Sequence, residues 1–363
     1  MPLNLLSIVY KADRPSSLLL KGLIMKVIIT KRGAPSVLSV VKADKPTPKA
    51  NEICIKVSAA GVAFADTLLR EGAYPGFKAK GTTPGYDVVG RIESIGSEVQ
   101  DFKVGDKVVA LTEVGGYAHF CTAQEHRVAH CPEGLDDVET VAMVLNYVTA
   151  YQMLTHVTRV KTGDTILIHG AAGGVGTALI QLCQTIGDIK IYGTASKKKH
   201  ATLIEMGVTP IDYRNENFVE VMKQHQPQGI DVVFDAVGGK NWKQSYRTLR
   251  AGGMLTAYGF SSITKKGRFH LPSALKSLAN APFPGLLSVL NDTKSVMGYN
   301  IRAFTSNRPE AFQYDMAVLL TMLQAEQVKP IIGKVLPLSQ AQEAHELLAS
   351  SAVEGKIVLQ VSA

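Results

Sequence analysis

The sequence predicts a two-part α/β protein, a doubly wound parallel sheet joined to a β-rich domain. Three observations lead there. From residue 164 onward, apolar runs of strand length alternate with stretches of helical periodicity, the pattern of parallel strands joined by crossover helices. Before residue 140, short strands follow one another, cut by Gly, Pro and Asp. The chain has 363 residues, a two-domain length, with 46% apolar residues to fill the cores and only 19% charged.

The elements follow in order. Residues 1–24 stand apart. Leu18-Leu19-Leu20 is apolar, but no basic region precedes it and no small-residue cleavage site follows, so a secretory signal is not predicted. A dispensable leader and an arm that packs on a partner both stay open. The first strand is expected at Met25-Lys26-Val27-Ile28-Ile29-Thr30, with others at residues 53–57, 87–92 and 106–110. Ala and Leu at helical spacing predict a helix over residues 136–153. Residues 164–169 form the continuous apolar run of a strand buried on both faces. A Gly-rich turn, a helix over 177–185 and strands at 189–193, 230–235 and 254–259 come next. Residues 261–296 break the alternation: Lys265, Lys266 and Arg268 precede Leu271-Pro272 and an apolar-rich stretch through Leu290. A connection this long is read as a lid, a dimer contact or a surface-seeking segment. A helix around 340–349 and a strand at Lys356-Ile357-Val358-Leu359 close the chain.

The net charge of +8 is moderate, and no long basic run is interleaved with aromatics, which argues against nucleic acid as a partner. Cys54, Cys121, Cys131 and Cys183 contain no C-x-x-C pair and are too few for a disulfide framework, so a reduced, cytoplasmic compartment is expected. No run of about 18 apolar residues is present, so no spanning helix is predicted.

The chemistry is concentrated at Ala171-Ala172-Gly173-Gly174-Val175-Gly176, between a predicted strand and a predicted helix. Strand, Gly-rich turn and helix N-terminus together make an anion cradle: the turn exposes N–H groups and the helix adds partial positive charge. This is the phosphate-binding turn of a Rossmann unit, in which Gly173 lets the backbone approach a pyrophosphate and Gly176 lets helix and strand pack closely. NAD-binding units carry an acid about 20 residues further on, for the ribose 2′-OH. Here the second strand ends in Gly193-Thr194-Ala195-Ser196-Lys197-Lys198-Lys199, with no carboxylate before Glu205. The hydroxyls and ammonium groups of Ser196, Lys197 and Lys199 suit a 2′-phosphate, and Tyr213 could close over it, so the expected cofactor is NADPH. A merely solvated basic turn is the plainer alternative.

With these residues the chain resembles the zinc-free quinone oxidoreductase branch of the medium-chain dehydrogenase/reductase superfamily. Gly163-Asp164 through Leu167, the Ala171 to Gly176 turn and Gln181 follow the branch's signature spacing, while Gln184 departs from its final position. Gly61-Val62 with Phe64 and Asp66, Arg70-Glu71-Gly72-Ala73-Tyr74, Pro84-Gly85 and Gly105-Asp106-Lys107-Val108 recur in the family's order. Asn146-Tyr147-Val148-Thr149-Ala150-Tyr151, Gln181-Leu182-Cys183, Gly193-Thr194-Ala195-Ser196 and Lys199-His200 resemble the vesicle amine transport protein subgroup.

The resemblance implies a GroES-like catalytic domain over 25–148 and 312–363, a Rossmann domain over 149–311, a cleft between them and a homodimer. It puts Thr149 near the nicotinamide, Ala172, Gly173, Gly174 and Val175 at the pyrophosphate, and Ser196, Lys199 and Tyr213 at the 2′-phosphate. Val237, Gly259 and Tyr299 would line the nicotinamide pocket, and Lys356 would lie close to the cofactor. Ala63, Phe64, Tyr74 and Asn146 would form the substrate pocket. Zinc-dependent members place cysteine where this chain has Ala63, and His-Glu where it has Tyr86-Asp87, so no metal is expected. His119, His126, His130 and Cys131, though close in sequence, are read as ordinary side chains. Without a metal Lewis acid, an already activated acceptor such as a quinone or an α,β-unsaturated carbonyl fits, reduced by hydride transfer. Tyr74 is the candidate hydroxyl for the developing oxyanion, or else simply a wall of the pocket. One departure stands out: quinone oxidoreductases carry asparagine where this chain has Ala63. The rival expectation is an NADPH-binding protein at a membrane surface, with little turnover, using the 261–296 segment on anionic lipid.

Overall fold

A computed structural model describes residues 24–74, 76–265, 268–279 and 285–361. The leader expected at 1–24 lies outside them except for its last residue, as do Lys266 and Gly267 of the interrupting segment.

The chain opens with an antiparallel pair, β1 (Met25–Ile29) and β2 (Leu38–Lys42). A larger β-rich sheet follows. β3 (Glu52–Val62) runs into helix α1 (Phe64–Arg70), then come β4 (Asp87–Ile95), β5 (Lys107–Leu111), β6 (Phe120–Gln124) and β7 (Val128–His130). β3, β4, β5 and β7 pair antiparallel in that order, and β6 also pairs with β3. Alternation in these strands sends Val27, Ile29, Ile53, Ile55, Val57, Val88 and Val108 into one core.

Helix α2 (Asp137–Gln152) crosses to the second half. Asp136 caps it, accepting from the N–H groups of Val138 and Glu139, both at 2.9 Å. One π-helical turn, Met153–Thr158, ends it, and Arg159 closes that turn in a left-handed conformation.

The second half has a six-stranded parallel sheet. In chain order it comprises β8 (Thr165–His169), α3 (Gly174–Ile186), β9 (Lys190–Ala195), α4 (His200–Glu205), β10 (Thr209–Asp212), α5 (Phe218–His225), β11 (Ile230–Asp235), α6 (Lys240–Thr248) and β12 (Leu249–Ala257). A short hairpin, β13 (Thr264–Lys265) with β14 (Arg268–Phe269), precedes α7 (Leu271–Ala279) and α8 (Leu286–Asp292). β15 (Ser295–Gly298) then completes the sheet in the order β10-β9-β8-β11-β12-β15. This is a doubly wound Rossmann sheet, whose order reverses beside β8 and opens a crevice at that strand's carboxyl end. Ile166, Ile168, Val232 and Phe234 pack in a core shared with α2 and α3. The expected strand at 254–259 begins earlier, at Leu249, and ends at Ala257, leaving Gly259 in the loop beyond.

Two helices, α9 (Ile301–Asn307) and α10 (Pro309–Gln324), return the chain to the β-rich half. There β16 (Ile332–Pro337), α11 (Ala341–Ser350) and β17 (Lys356–Gln360) finish it, with β17 antiparallel to β3. The return brings Gly355 onto the Gly-rich turn: its N–H donates to the Ala172 carbonyl at 3.3 Å. The sequence-predicted class, a Rossmann sheet plus a β-rich GroES-like domain, is the one observed.

Candidate active site

A cleft of about 1580 Å³ lies where the two sheets meet. Ala63, Phe64, Tyr74, Tyr86, Asn146 and Thr149 line it, as do Gly173, Gly174, Val175, Gly259, Tyr299 and Lys356.

The floor is built by the turn after β8. Gly173 is the N-cap of α3 in extended conformation with no side-chain cap, so the helix start is presented to the cleft. A Cβ on Gly176 would come within 2.5 Å of the carbonyl oxygens of Gly170 and Ala171, so only glycine allows this helix-to-strand packing. At Gly174 the crowding partner is the Asn146 side-chain amide. Asn146 thus borders the cradle as well as the substrate side.

Beneath the turn runs a buried polar chain that sequence reasoning did not single out. His169 contacts the Thr194 hydroxyl at 3.1 Å through Nδ1 and the Ser245 hydroxyl at 3.0 Å through Nε2. Ser245 donates to Asp235 at 2.8 Å. Burial holds the His169 imidazole below its usual range, against the pull of Asp235. Asp235 also accepts from the N–H groups of Val237 and Gly238, at 2.8 and 3.1 Å. That turn carries Ala236 into the cleft lining, whereas Val237, expected at the nicotinamide, is not among the lining residues.

Lys356 arrives from β17 and is buried. Its Nζ donates to Asp87 Oδ2 at 2.8 Å, and the Leu145 N–H approaches the same oxygen at 3.4 Å. Asp87 Oδ1 is buried without a hydrogen-bond partner. Lys356 and an uncapped helix start therefore face one cleft, and the carboxylate that holds Lys356 is only half satisfied.

Of the residues expected at a 2′-phosphate, Ser196 stands at the N-cap position of a 3-10 turn over Lys197–Lys199 at the end of β9, with no side-chain capping bond. Lys199 is half-buried and donates to the Val353 carbonyl at 2.7 Å, and burial lowers its ammonium below the usual lysine range. Tyr213 is exposed, with the Arg214 side chain over its ring and Nε at 3.4 Å from its hydroxyl. These residues and Ala172 do not line the cleft itself. Tyr299 does, and its hydroxyl donates to Gln152 at 2.7 Å.

The other wall is aromatic. The Tyr74 and Tyr86 hydroxyls are 3.3 Å apart, and Phe77 stacks on Tyr74 at 5.8 Å. Ala63 and Gly85, the residue before Tyr86, are both fixed by Asp66. Its carboxylate accepts from the Ala63 N–H at 2.9 Å, the Gly85 N–H at 2.8 Å and the Tyr117 hydroxyl at 3.1 Å. Burial outweighs these bonds and pushes the carboxyl up to about 6. His130 stacks on Phe102 at 4.4 Å. Among the described residues no three His, Cys, Asp or Glu side chains could together hold a metal ion.

Comparison with known proteins agrees with this architecture. The family model described as "Alcohol dehydrogenase GroES-like domain" matches residues 49–152, and that described as "Zinc-binding dehydrogenase" matches 207–359. A synaptic vesicle membrane protein VAT-1 homolog of Danio rerio is 33% identical over 320 residues, 88% of this chain. The chain spans 66% of that relative's length. The quinone oxidoreductase of Homo sapiens is 31% identical over 334 residues, covering 90% of this chain and 94% of the relative. The chain belongs to the medium-chain dehydrogenase/reductase superfamily. Within this superfamily of oxidoreductases it falls in the quinone oxidoreductase-like branch, near VAT-1. The structure of Escherichia coli quinone oxidoreductase complexed with NADPH superposes with a TM-score of 0.81, with 27% identity over 93% of this chain and 99% of the other.

Sequence reasoning missed Tyr86 as a cleft residue, Asp87 as the partner of Lys356, and the His169 chain. In the sequence Tyr86 stands out only as a position that lacks a metal ligand. The other two depend on contacts between distant segments.

Proposed function

We propose that this protein is an NADPH-dependent reductase that passes hydride, without zinc, to a quinone or an α,β-unsaturated carbonyl. The observation that carries the reading is the shared cleft: the uncapped start of α3 and buried Lys356 face the same space as the Tyr74 and Tyr86 wall. The residues fit a dinucleotide. Gly173, Gly174 and Val175 would take the pyrophosphate on backbone N–H groups, with Lys356 adding positive charge. Ser196 and Lys197 would meet the 2′-phosphate, with Lys199 and Tyr213 at its margins. Thr149, Gly259 and Tyr299 would bound the nicotinamide. When bound, the reduced cofactor supplies the hydride.

The chain's own residues then handle orientation and the proton. The apolar wall excludes water and favours a flat, conjugated acceptor. Tyr74 meets the oxygen that gains charge. Ala63 and Tyr86 offer no thiolate or imidazole, so the donor set gives no reason to invoke a metal. Ala63 is also smaller than the asparagine of quinone oxidoreductases, which leaves room for a bulkier acceptor and removes an orienting amide.

Fluorescence titration with NADPH and NADH, followed by a quinone and enone panel, tests this reading. NADPH should bind well over tenfold more tightly, and Tyr74→Phe should slow turnover. Equal affinities, or no turnover on any acceptor, would refute it. A second reading is favoured by the α7–α8 segment, where Leu271, Leu275, Leu286, Leu287 and Leu290 are all exposed. These leucines could instead seat a homodimer partner or anionic lipid at the surface of a protein with little turnover. Liposome flotation with and without acidic lipid, alongside light-scattering mass, separates these.

A further inference from the structure

The cleft wall pairs two phenols, and only one of them was expected from the sequence. Tyr74 follows α1. Tyr86 immediately precedes β4 and is 2% exposed. Their hydroxyls are 3.3 Å apart, with the rings edge to face at 85°. Both line the cleft alongside Asn146 and Thr149.

We propose that Tyr86 is a positioning residue for proton delivery, aiming the Tyr74 hydroxyl at the acceptor and donating to the Tyr74 oxygen as it gives up its proton. The inference rests on the reductase reading above. Each hydroxyl has one O–H. In the resting arrangement Tyr74 donates to Tyr86. Rotation about the two C–O bonds reverses the bond without moving a heavy atom. Tyr86 then donates, and the Tyr74 O–H is free to turn toward an acceptor oxygen. As the acceptor gains hydride at carbon, its π pair moves onto oxygen. The Tyr74 O–H bond breaks and a new O–H bond forms on the acceptor. The acceptor is thereby reduced by two electrons and the nicotinamide oxidised. The Tyr74 phenolate, held by the Tyr86 O–H, regains a proton from water once the product leaves.

The surroundings set which phenol acts as the acid. Burial raises both above the usual phenol range, and Tyr86, the more deeply buried, further than Tyr74. The less buried Tyr74 is therefore the phenol assigned as the acid, with Tyr86 as its donor. Glu113, from the loop after β5, and Asp66, from α1, oppose a phenolate at Tyr74, whereas Arg302 from α9 favours it. Glu113 also faces Tyr86, together with Arg127. Both arginines pair with Glu113.

The test uses the full chain with ortho-fluorotyrosine at position 74, titrated by fluorine NMR without cofactor. Tyr86→Phe should move that titration upward by about one unit, because the phenolate loses a hydrogen-bond donor. In turnover, Tyr86→Phe should lower kcat about tenfold and shift the alkaline limb of its pH profile upward. KM and NADPH affinity should hold, as a merely structural role would not predict. No turnover by the wild type would overturn the reductase reading and the catalytic role with it. Turnover with an unmoved Tyr74 titration in Tyr86→Phe would overturn the pairing alone.

Discussion

Lys356 and Asp87 lie 269 positions apart in sequence, and their charged groups meet at 2.8 Å with both side chains almost wholly buried. At that separation, and with an effective dielectric constant of about 20, their attraction is about 6 kcal/mol. Taking both charges out of water offsets much of it, so the pair contributes little net stability while each member depends on the other. Asp87→Asn or Lys356→Met alone strands an uncompensated buried charge, at about 3–5 kcal/mol. Replacing both removes the stranded charge. Urea unfolding of the full chain, followed by circular dichroism, should therefore show two strongly destabilised single variants and a double variant near the wild type. The ion pair joins the return strand β17 to β4 beside the cradle, so Lys356→Met should also weaken NADPH binding beyond any loss in Asp87→Asn. Single losses below about 1 kcal/mol, or a double loss equal to their sum, would refute the coupling.

Two further predictions concern packing and protons. Gly176→Ala would press a methyl onto the Gly170 and Ala171 carbonyls, so it should destabilise by about 1–3 kcal/mol and abolish NADPH binding, measured by thermal unfolding and fluorescence titration. Burial holds the His345 imidazole down at about 3 against an ordinary 6.5, so the unfolded chain takes up that proton first. The stability His345 supplies is present above about 6.5 and lost as pH falls toward 3, with a slope of up to about 1.4 kcal/mol per pH unit. His345→Met should flatten the acid limb of the urea midpoint against pH, and an unchanged limb would count against this origin.

Local pattern made much of the fold legible. The strand at Ile230–Asp235 is a short apolar run, and the helix at Ala341–Ser350 has clear periodicity. The β12 start was not legible, because Gly252 and Gly253 read as a break, yet the strand continues through an irregular register against Ile230. The 261–296 break was legible as an interruption, though its resolution into a hairpin and two short helices was not. At the site, the cradle could be read because strand, glycines and helix are contiguous. The Asp87–Lys356 pair and the His169–Ser245–Asp235 chain could not, since each joins residues that only the tertiary fold brings together.

Ala63 and Tyr86 fill positions where zinc-dependent relatives carry ligands, and one buried carboxylate governs both. Asp66 receives the Ala63 N–H on Oδ2 and the Gly85 N–H on Oδ1, fixing the backbone that aims each side chain at the cleft. Asp66→Asn keeps the shape but turns one oxygen into a donor. Whichever way the amide is oriented, its NH₂ faces a backbone N–H, leaving that group unsatisfied at about 1–3 kcal/mol. If the amide oxygen stays with Gly85, Ala63 shifts; if it stays with Ala63, the Tyr86 side of the wall moves. Either way the Tyr74–Tyr86 separation should grow, so the variant should lose stability and show the Tyr86→Phe kinetic signature while NADPH affinity holds. The cradle is built by other elements, so loss of cofactor affinity in step with turnover would mean that Asp66 supports the fold of the whole cleft rather than this wall.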